Sequence, residues 1–83
     1  MNEILAGLAI LGGALAAGQP ANVVFWGHVE RVVEAALGRC MIDPACLRRE
    51  IVREAAAEAR RAGMSPAEAR TLERAAMTQA GVR

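Results

Sequence analysis

The feature that most constrains this chain is a long run without charge, since residues 4–29 contain no charged side chain. All ten arginines follow this run, and the chain has no lysine. A soluble domain of this size would spread its charges along the chain. The division therefore predicts two regions within one small domain: an apolar, membrane-inserted segment over residues 1–29 and a charged helical region over residues 30–83.

A length of 83 residues limits the chain to one small domain. Chains this short bury a modest share of their surface, so the hydrophobic core of a monomer would give only marginal stability. Phe25 and Trp26 are the only aromatic residues, and aliphatic side chains must build the core. We therefore expect support from membrane lipid, from protein partners or from self-association. Nucleic acid is not an expected partner, because after residue 30 ten arginines are interleaved with seven acidic residues.

Apolar periodicity predicts an all-α fold with three to four helices. The predicted helices cover about residues 3–18, 22–38, 44–62 and 66–80. Pro20 disfavours helix at the residue before it and predicts a kink or break there, with Asn22 as the next N-cap. Gly38 is a suitable end for the second helix.

Capping signals place the starts of the last two helices. Asp43 precedes Pro44, which is a favourable pair for the N-cap and the first helical position. The sequence Ser65-Pro66-Ala67-Glu68 has the form of a capping box. The terminal residues 81–83 are expected to fray.

The first predicted helix has one large and one small face. Its large apolar side chains recur at helical spacing and form a stripe, Ile4, Leu8, Leu11 and Leu15. The opposite face includes a row of small residues that permits close helix packing in lipid, Ala9, Gly13 and Ala17.

Three hypotheses account for this segment. A secretory signal would use the Ala14-Leu15-Ala16 triplet for cleavage, although Glu3 replaces the usual positive charge. A membrane helix over residues 4–18 is only about 22 Å long, so it must continue through Pro20 to Trp26, which then anchors it at the membrane interface. A buried core helix would instead pack its stripe on Phe25, Val29 and Val32. If the segment spans a membrane, the arginine excess places the C-terminal part in the cytoplasm and the N-terminal end outside.

Cys40 and Cys46 are six residues apart and flank the turn between the second and third predicted helices. A disulfide between them would close this turn, and two reduced, half-buried thiols are the alternative. A structural zinc site needs four ligands, so neither a metal nor a cofactor is expected. A disulfide conflicts with a cytoplasmic location, and a virion or an extracellular assembly would remove that conflict.

The chain offers few groups for catalysis, and no catalytic residue is predicted. His28 is the only histidine, and a catalytic triad would also need Ser65 and Asp43, both of which are assigned to helix caps. The acids at positions 50, 54 and 58 are spaced four apart and are interpreted as lying on a solvated face. Such carboxylates lack the burial that would separate their pKa values for acid–base work.

These features predict a non-enzymatic helical structural or assembly subunit. Its N-terminal end is expected to insert into a membrane, within a bacterial membrane complex or a phage virion. The alternative is a soluble helical interaction or adaptor domain stapled by the disulfide.

Overall fold

The computed structural model describes residues 19–82, with side chains from Val23 onwards, and this part of the chain is all-α. Helix α1 covers Gln19–Cys40, α2 covers Pro44–Ala62 and α3 covers Pro66–Gln79. The prediction of an all-α fold is confirmed. The predicted helix over residues 3–18 lies outside the described residues.

Helices α2 and α3 begin where the capping signals placed them. Asp43 occupies the N-cap of α2, although its side chain makes no capping hydrogen bond. At α3 the capping box is complete, because Ser65 Oγ accepts from the Glu68 N–H and the Glu68 carboxylate accepts from the Ser65 N–H. Pro44 and Pro66 each stand in a first turn, where the missing N–H has no intrahelical partner to lose.

Helix α1 is longer at both ends than predicted. The described part of the helix already includes Gln19 and Pro20, so Asn22 lies inside the helix rather than at its cap. It continues past Gly38 and ends at Cys40, and the next residue, Met41, has a left-handed φ of 57°. The Met41 N–H donates to the Leu37 carbonyl at 2.8 Å, which satisfies one of the last carbonyls of the helix.

Helices α2 and α3 each end in a Schellman motif. Gly63 after α2 and Gly81 after α3 have φ values of 68° and 75°, which glycine adopts without steric cost. The following residues donate back across the turn, Met64 to Ala59 and Val82 to Met77, at 2.9 Å each. The prediction that the tail frays is therefore wrong for Val82, which is buried against the core.

The core lies where the three helices meet. Its largest fully buried side chains are Ile51, Leu72, Val29 and Val32. Alanines at positions 36, 55, 59 and 76 complete it and allow the helices to approach closely. The face of α1 that carries Val29 and Val32 is thus buried by α2 and α3, and the helix continues without a break across residue 29.

The hydroxyl of Ser65 is expected to contribute about 1 kcal/mol to folding, because it satisfies a free N–H at the start of α3. Replacing Ser65 by alanine should lower the free energy of unfolding by that amount, measured by urea denaturation. Thr78→Ala also removes an exposed hydroxyl, but from the last turn of α3, and should change stability by less than about 0.5 kcal/mol. Equal effects of the two substitutions would contradict a capping role.

Candidate functional site

The most unusual side chain in the bundle is Glu58 on α2, because it is a buried carboxylate with only 5% of its side chain exposed. Three donors from two helices surround it. His28 Nδ1 lies 2.6 Å and Arg31 Nε 2.9 Å from Glu58 Oε2, and Arg61 Nη2 lies 2.6 Å from Oε1. We call His28, Arg31, Glu58 and Arg61 the Glu58 cluster.

The geometry assigns the proton on the His28 ring. An ionised carboxylate oxygen at 2.6 Å requires a hydrogen on Nδ1, so His28 donates to Glu58. Arg31 Nη2 also lies 2.9 Å from Nδ1, but a nitrogen that carries a hydrogen cannot accept a second one. Arg31 therefore acts on the cluster through its Nε–H bond to Glu58.

The pKa of Glu58 reflects two opposing effects. Burial raises the pKa, because it removes the charged carboxylate from water. Hydrogen bonds from His28, Arg61 and Arg31, together with the charge of Arg31, outweigh the effect of burial and lower the pKa from 4.5 to about 2. The carboxylate is therefore ionised at neutral pH. A carboxylate with so low a pKa is a weak proton acceptor. The Glu58 cluster instead links α1 to α2 through ionic hydrogen bonds.

A second charged group joins the same two helices nearer their turn. Arg39 on α1 lies 3.7 Å from the Glu50 carboxylate and 3.5 Å from that of Glu54, and Arg53 lies 3.8 Å from Glu50. Glu50 Oε1 is buried and has no hydrogen-bond partner among the described residues. These contacts are longer than those of the Glu58 cluster and contribute less to stability.

Cys40 and Cys46 join the end of α1 to the start of α2. The structure links their sulfur atoms, with the Cα atoms 5.5 Å apart, which is a usual separation for a disulfide. Cys40 is buried in the core and Cys46 is half-buried. The bond encloses the turn that contains Met41, Ile42 and Asp43.

The start of α1 exposes large apolar side chains. Val23 is 70%, Val24 61% and Trp26 48% exposed, and the Trp26 ring meets Phe25 edge to face at a centroid distance of 5.3 Å. We call Val23, Val24 and Trp26 the N-terminal apolar patch. It directly follows the uncharged sequence of residues 4–22.

An open groove of about 810 Å³ lies beside this patch. One wall comes from the start of α1, and the other comes from the turn between α2 and α3 and the first turns of α3. Its lining is mainly apolar and consists of Val24, Phe25, His28, Ala62, Gly63, Met64, Ala67, Glu68 and Thr71. His28 belongs both to this lining and to the Glu58 cluster.

The predicted site residues have different outcomes. Ala9, Gly13 and Ala17 lie outside the described residues, so the helix-packing prediction stays a prediction. Trp26 is exposed on α1, and Cys40 and Cys46 are adjacent. His28 and Ser65 already have hydrogen-bond partners in Glu58 and Glu68. Within residues 19–82, no group of three or more histidine, cysteine or acidic side chains is arranged to hold a metal.

The interpretation of the acids on α2 as solvated is wrong for Glu58 and partly wrong for Glu50 and Glu54, which are half-buried. A signal for Glu58 was present, because it follows Ile51 by seven residues and so falls on the apolar stripe of α2. His28 likewise stands four residues before buried Val32. Two polar residues on the apolar faces of adjacent helices indicate a buried pair.

In the part of the chain that the structure describes, no helix is both long and apolar enough to cross a membrane. Comparison of the chain with known protein families, curated proteins and solved structures found no match.

Proposed function

We propose that this protein is a non-enzymatic helical assembly subunit, anchored in a membrane by its apolar N-terminal end. The bundle of α1, α2 and α3 would be held at the membrane surface. There it would contact protein partners or other copies of the chain in a bacterial membrane complex or a phage virion.

The observation that carries this proposal is the exposure of the N-terminal apolar patch. Helix α1 buries Val29 and Val32 completely, yet leaves Val23, Val24 and Trp26 in contact with solvent. The patch lies at the end of the helix to which residues 4–18 are joined. Exposed apolar side chains next to an uncharged segment are typical of a membrane contact.

The Glu58 cluster determines how far along the chain the proposed anchor can extend. Its carboxylate and guanidinium groups would be costly to place in hydrocarbon, and His28 is the first residue of the cluster along the chain. The anchor would therefore comprise residues 4–26 rather than 1–29. As a continuous helix these residues extend about 34 Å, which exceeds a hydrocarbon core of about 30 Å, with Trp26 at the interface.

Flotation with liposomes tests the anchor, with Trp26 emission as a second readout because Trp26 is the only tryptophan. The wild-type chain should float, and its emission should shift to shorter wavelength. Gly13→Arg places a charge near the middle of the anchor and should lower the lipid-bound fraction about tenfold. Ile42→Arg adds the same charge at the turn between α1 and α2 and should leave flotation unchanged. Wild-type protein that stays unbound would overturn the proposal.

The oxidation state of Cys40 and Cys46 discriminates between a resident membrane complex and a virion or extracellular assembly. The arginine excess after residue 30 favours a cytoplasmic bundle, whereas a disulfide forms and persists in oxidising surroundings. Protein isolated from cells with its thiols blocked would show the state of the pair. Free thiols would support a resident membrane complex, and a disulfide would support a virion or an extracellular assembly.

A second function is favoured by the turn patch, which we define as Leu37, Met41 and Ile42. Their exposures are 39%, 74% and 87%, and the disulfide encloses the turn that carries the last two. A fixed, exposed apolar turn is suited to binding a protein partner in solution, as an adaptor would. Release of the protein from membranes by an alkaline wash would favour this adaptor function over the anchor.

A further inference from the structure

We propose that the groove between α1 and α3 is a docking site for the chain's own residues 4–17 when no lipid is present. The groove would then shield the leucine stripe of this segment from water. This inference does not rest on the proposed membrane function, because a groove can hold the segment whether or not the segment later enters lipid.

The first argument is the chemistry of the groove. Val24 and Phe25 form one wall, and Met64 and Ala67 contribute to the other. An apolar groove between two helices accommodates a third amphipathic helix, whose side chains at spacings of three and four enter it. The stripe of Ile4, Leu8, Leu11 and Leu15 has this spacing.

The second argument is the position at which the chain enters. The structure describes α1 from Gln19, five residues before Val24, so residues 1–18 attach to the bundle at the end where the groove lies. A reversal at residues 16–18 would make an antiparallel pair of helices, whose connections are commonly two to five residues long. The segment therefore needs no long linker to reach the groove.

The third argument is the match in length. Leu11 and Leu8 lie seven and ten residues before Gly18, and Val24 and His28 lie six and ten residues after it. At 1.5 Å per residue, these pairs come level about 10 and 15 Å from the reversal. Leu8 and Leu11 would thus face the groove, and the small row with Ala9 and Gly13 would point away from it.

Photo-crosslinking of the full chain in lipid-free buffer tests this docking. A photoreactive leucine analogue is placed at position 11, or at position 9 as the control on the opposite face, and the products are mapped by mass spectrometry. We expect position 11 to crosslink to the peptide with residues 62–71 at least fivefold more than position 9. Met64→Glu in the groove should reduce that yield severalfold, whereas Met41→Glu, on an exposed methionine outside the groove, should not.

Mixing isotopically heavy and light chains identifies the occupant. Crosslinks within one chain support the proposal, and crosslinks between heavy and light chains would show that a second copy fills the groove and would overturn it. Equal yields from positions 9 and 11, or a chain that aggregates without lipid, would also overturn it. Liposomes separate the two proposals: flotation without the groove crosslink refutes docking alone, and the crosslink without flotation refutes the membrane anchor alone.

Discussion

Replacing Glu58 by glutamine is expected to lower the free energy of unfolding by about 3 kcal/mol at pH 7. The size follows from a pKa lowered from 4.5 to about 2, at 1.36 kcal/mol per unit. Glutamine has almost the same volume, so the change removes the charge without leaving a cavity. Its amide group would also turn a donor toward the N–H groups of His28 and Arg31. Urea denaturation followed by circular dichroism measures the effect.

Acid provides the independent check on Glu58. Because the pKa is lower in the folded state, this contribution is complete above about pH 4.5 and is lost as the pH falls toward 2. The difference in stability between wild type and Glu58→Gln should therefore shrink across this interval. Glu34→Gln removes an exposed carboxylate from α1 and should change stability by less than about 0.5 kcal/mol. A constant difference between wild type and Glu58→Gln from pH 7 to 2 would be incompatible with an ionised, paired carboxylate.

Reduction of the bond between Cys40 and Cys46 is expected to lower the free energy of unfolding by about 2 kcal/mol. The closed loop is short, and a short loop restricts the unfolded chain less than a long one. Oxidised and reduced samples of the same chain are compared because Cys40 is buried, and replacing it would also change the packing of the core. Urea denaturation with and without a thiol-free reductant measures the difference.

The double variant Cys40→Ala/Cys46→Ala is the control for this experiment, since the reductant should not change its stability. Native protein should also contain no thiol that a label can reach under denaturing, non-reducing conditions. Two labelled thiols, or equal stability of the oxidised and reduced samples, would refute the bond.

Local signals were sufficient to predict α2 and α3. The residues predicted for α2 are those observed, and α3 ends at Gln79, one residue before the predicted end. Both helices begin with a capping residue followed by proline, and a glycine comes within two residues of the end of each. Such signals act within one turn of helix, so they can be recognised without knowledge of the tertiary structure.

The ends of α1 could not be predicted because the deciding factors are not local. Pro20 is compatible with the first turn of a helix as well as with a break, and the sequence does not distinguish the two. Gly38 is a plausible end, but burial of Cys40 and its bond to Cys46 keep the helix intact for two further residues. Met41 then adopts the left-handed conformation that glycine would normally supply.

The Glu58 cluster illustrates the same limit at the candidate site. Glu58 and Arg61 are three residues apart, and this pair was recognisable on α2 alone. The contacts with His28 and Arg31 join positions 30 and 27 residues apart. Their existence depends on how α1 and α2 pack, so the burial of Glu58 emerges only from the assembled bundle.

The hairpin of α1 and α2 is held at both of its ends. Contacting pairs run in opposite directions along the two helices, from Cys40 with Cys46 at the turn, through Arg39 with Glu50, to Arg31 with Glu58. Helical hairpins ordinarily fray from the end opposite the turn. Here that end carries the shortest ionic contacts, so the hairpin has no weak terminus at which separation of the helices can start. A reductant should weaken one end and acid the other, and the two treatments together should destabilise the hairpin more than either does alone.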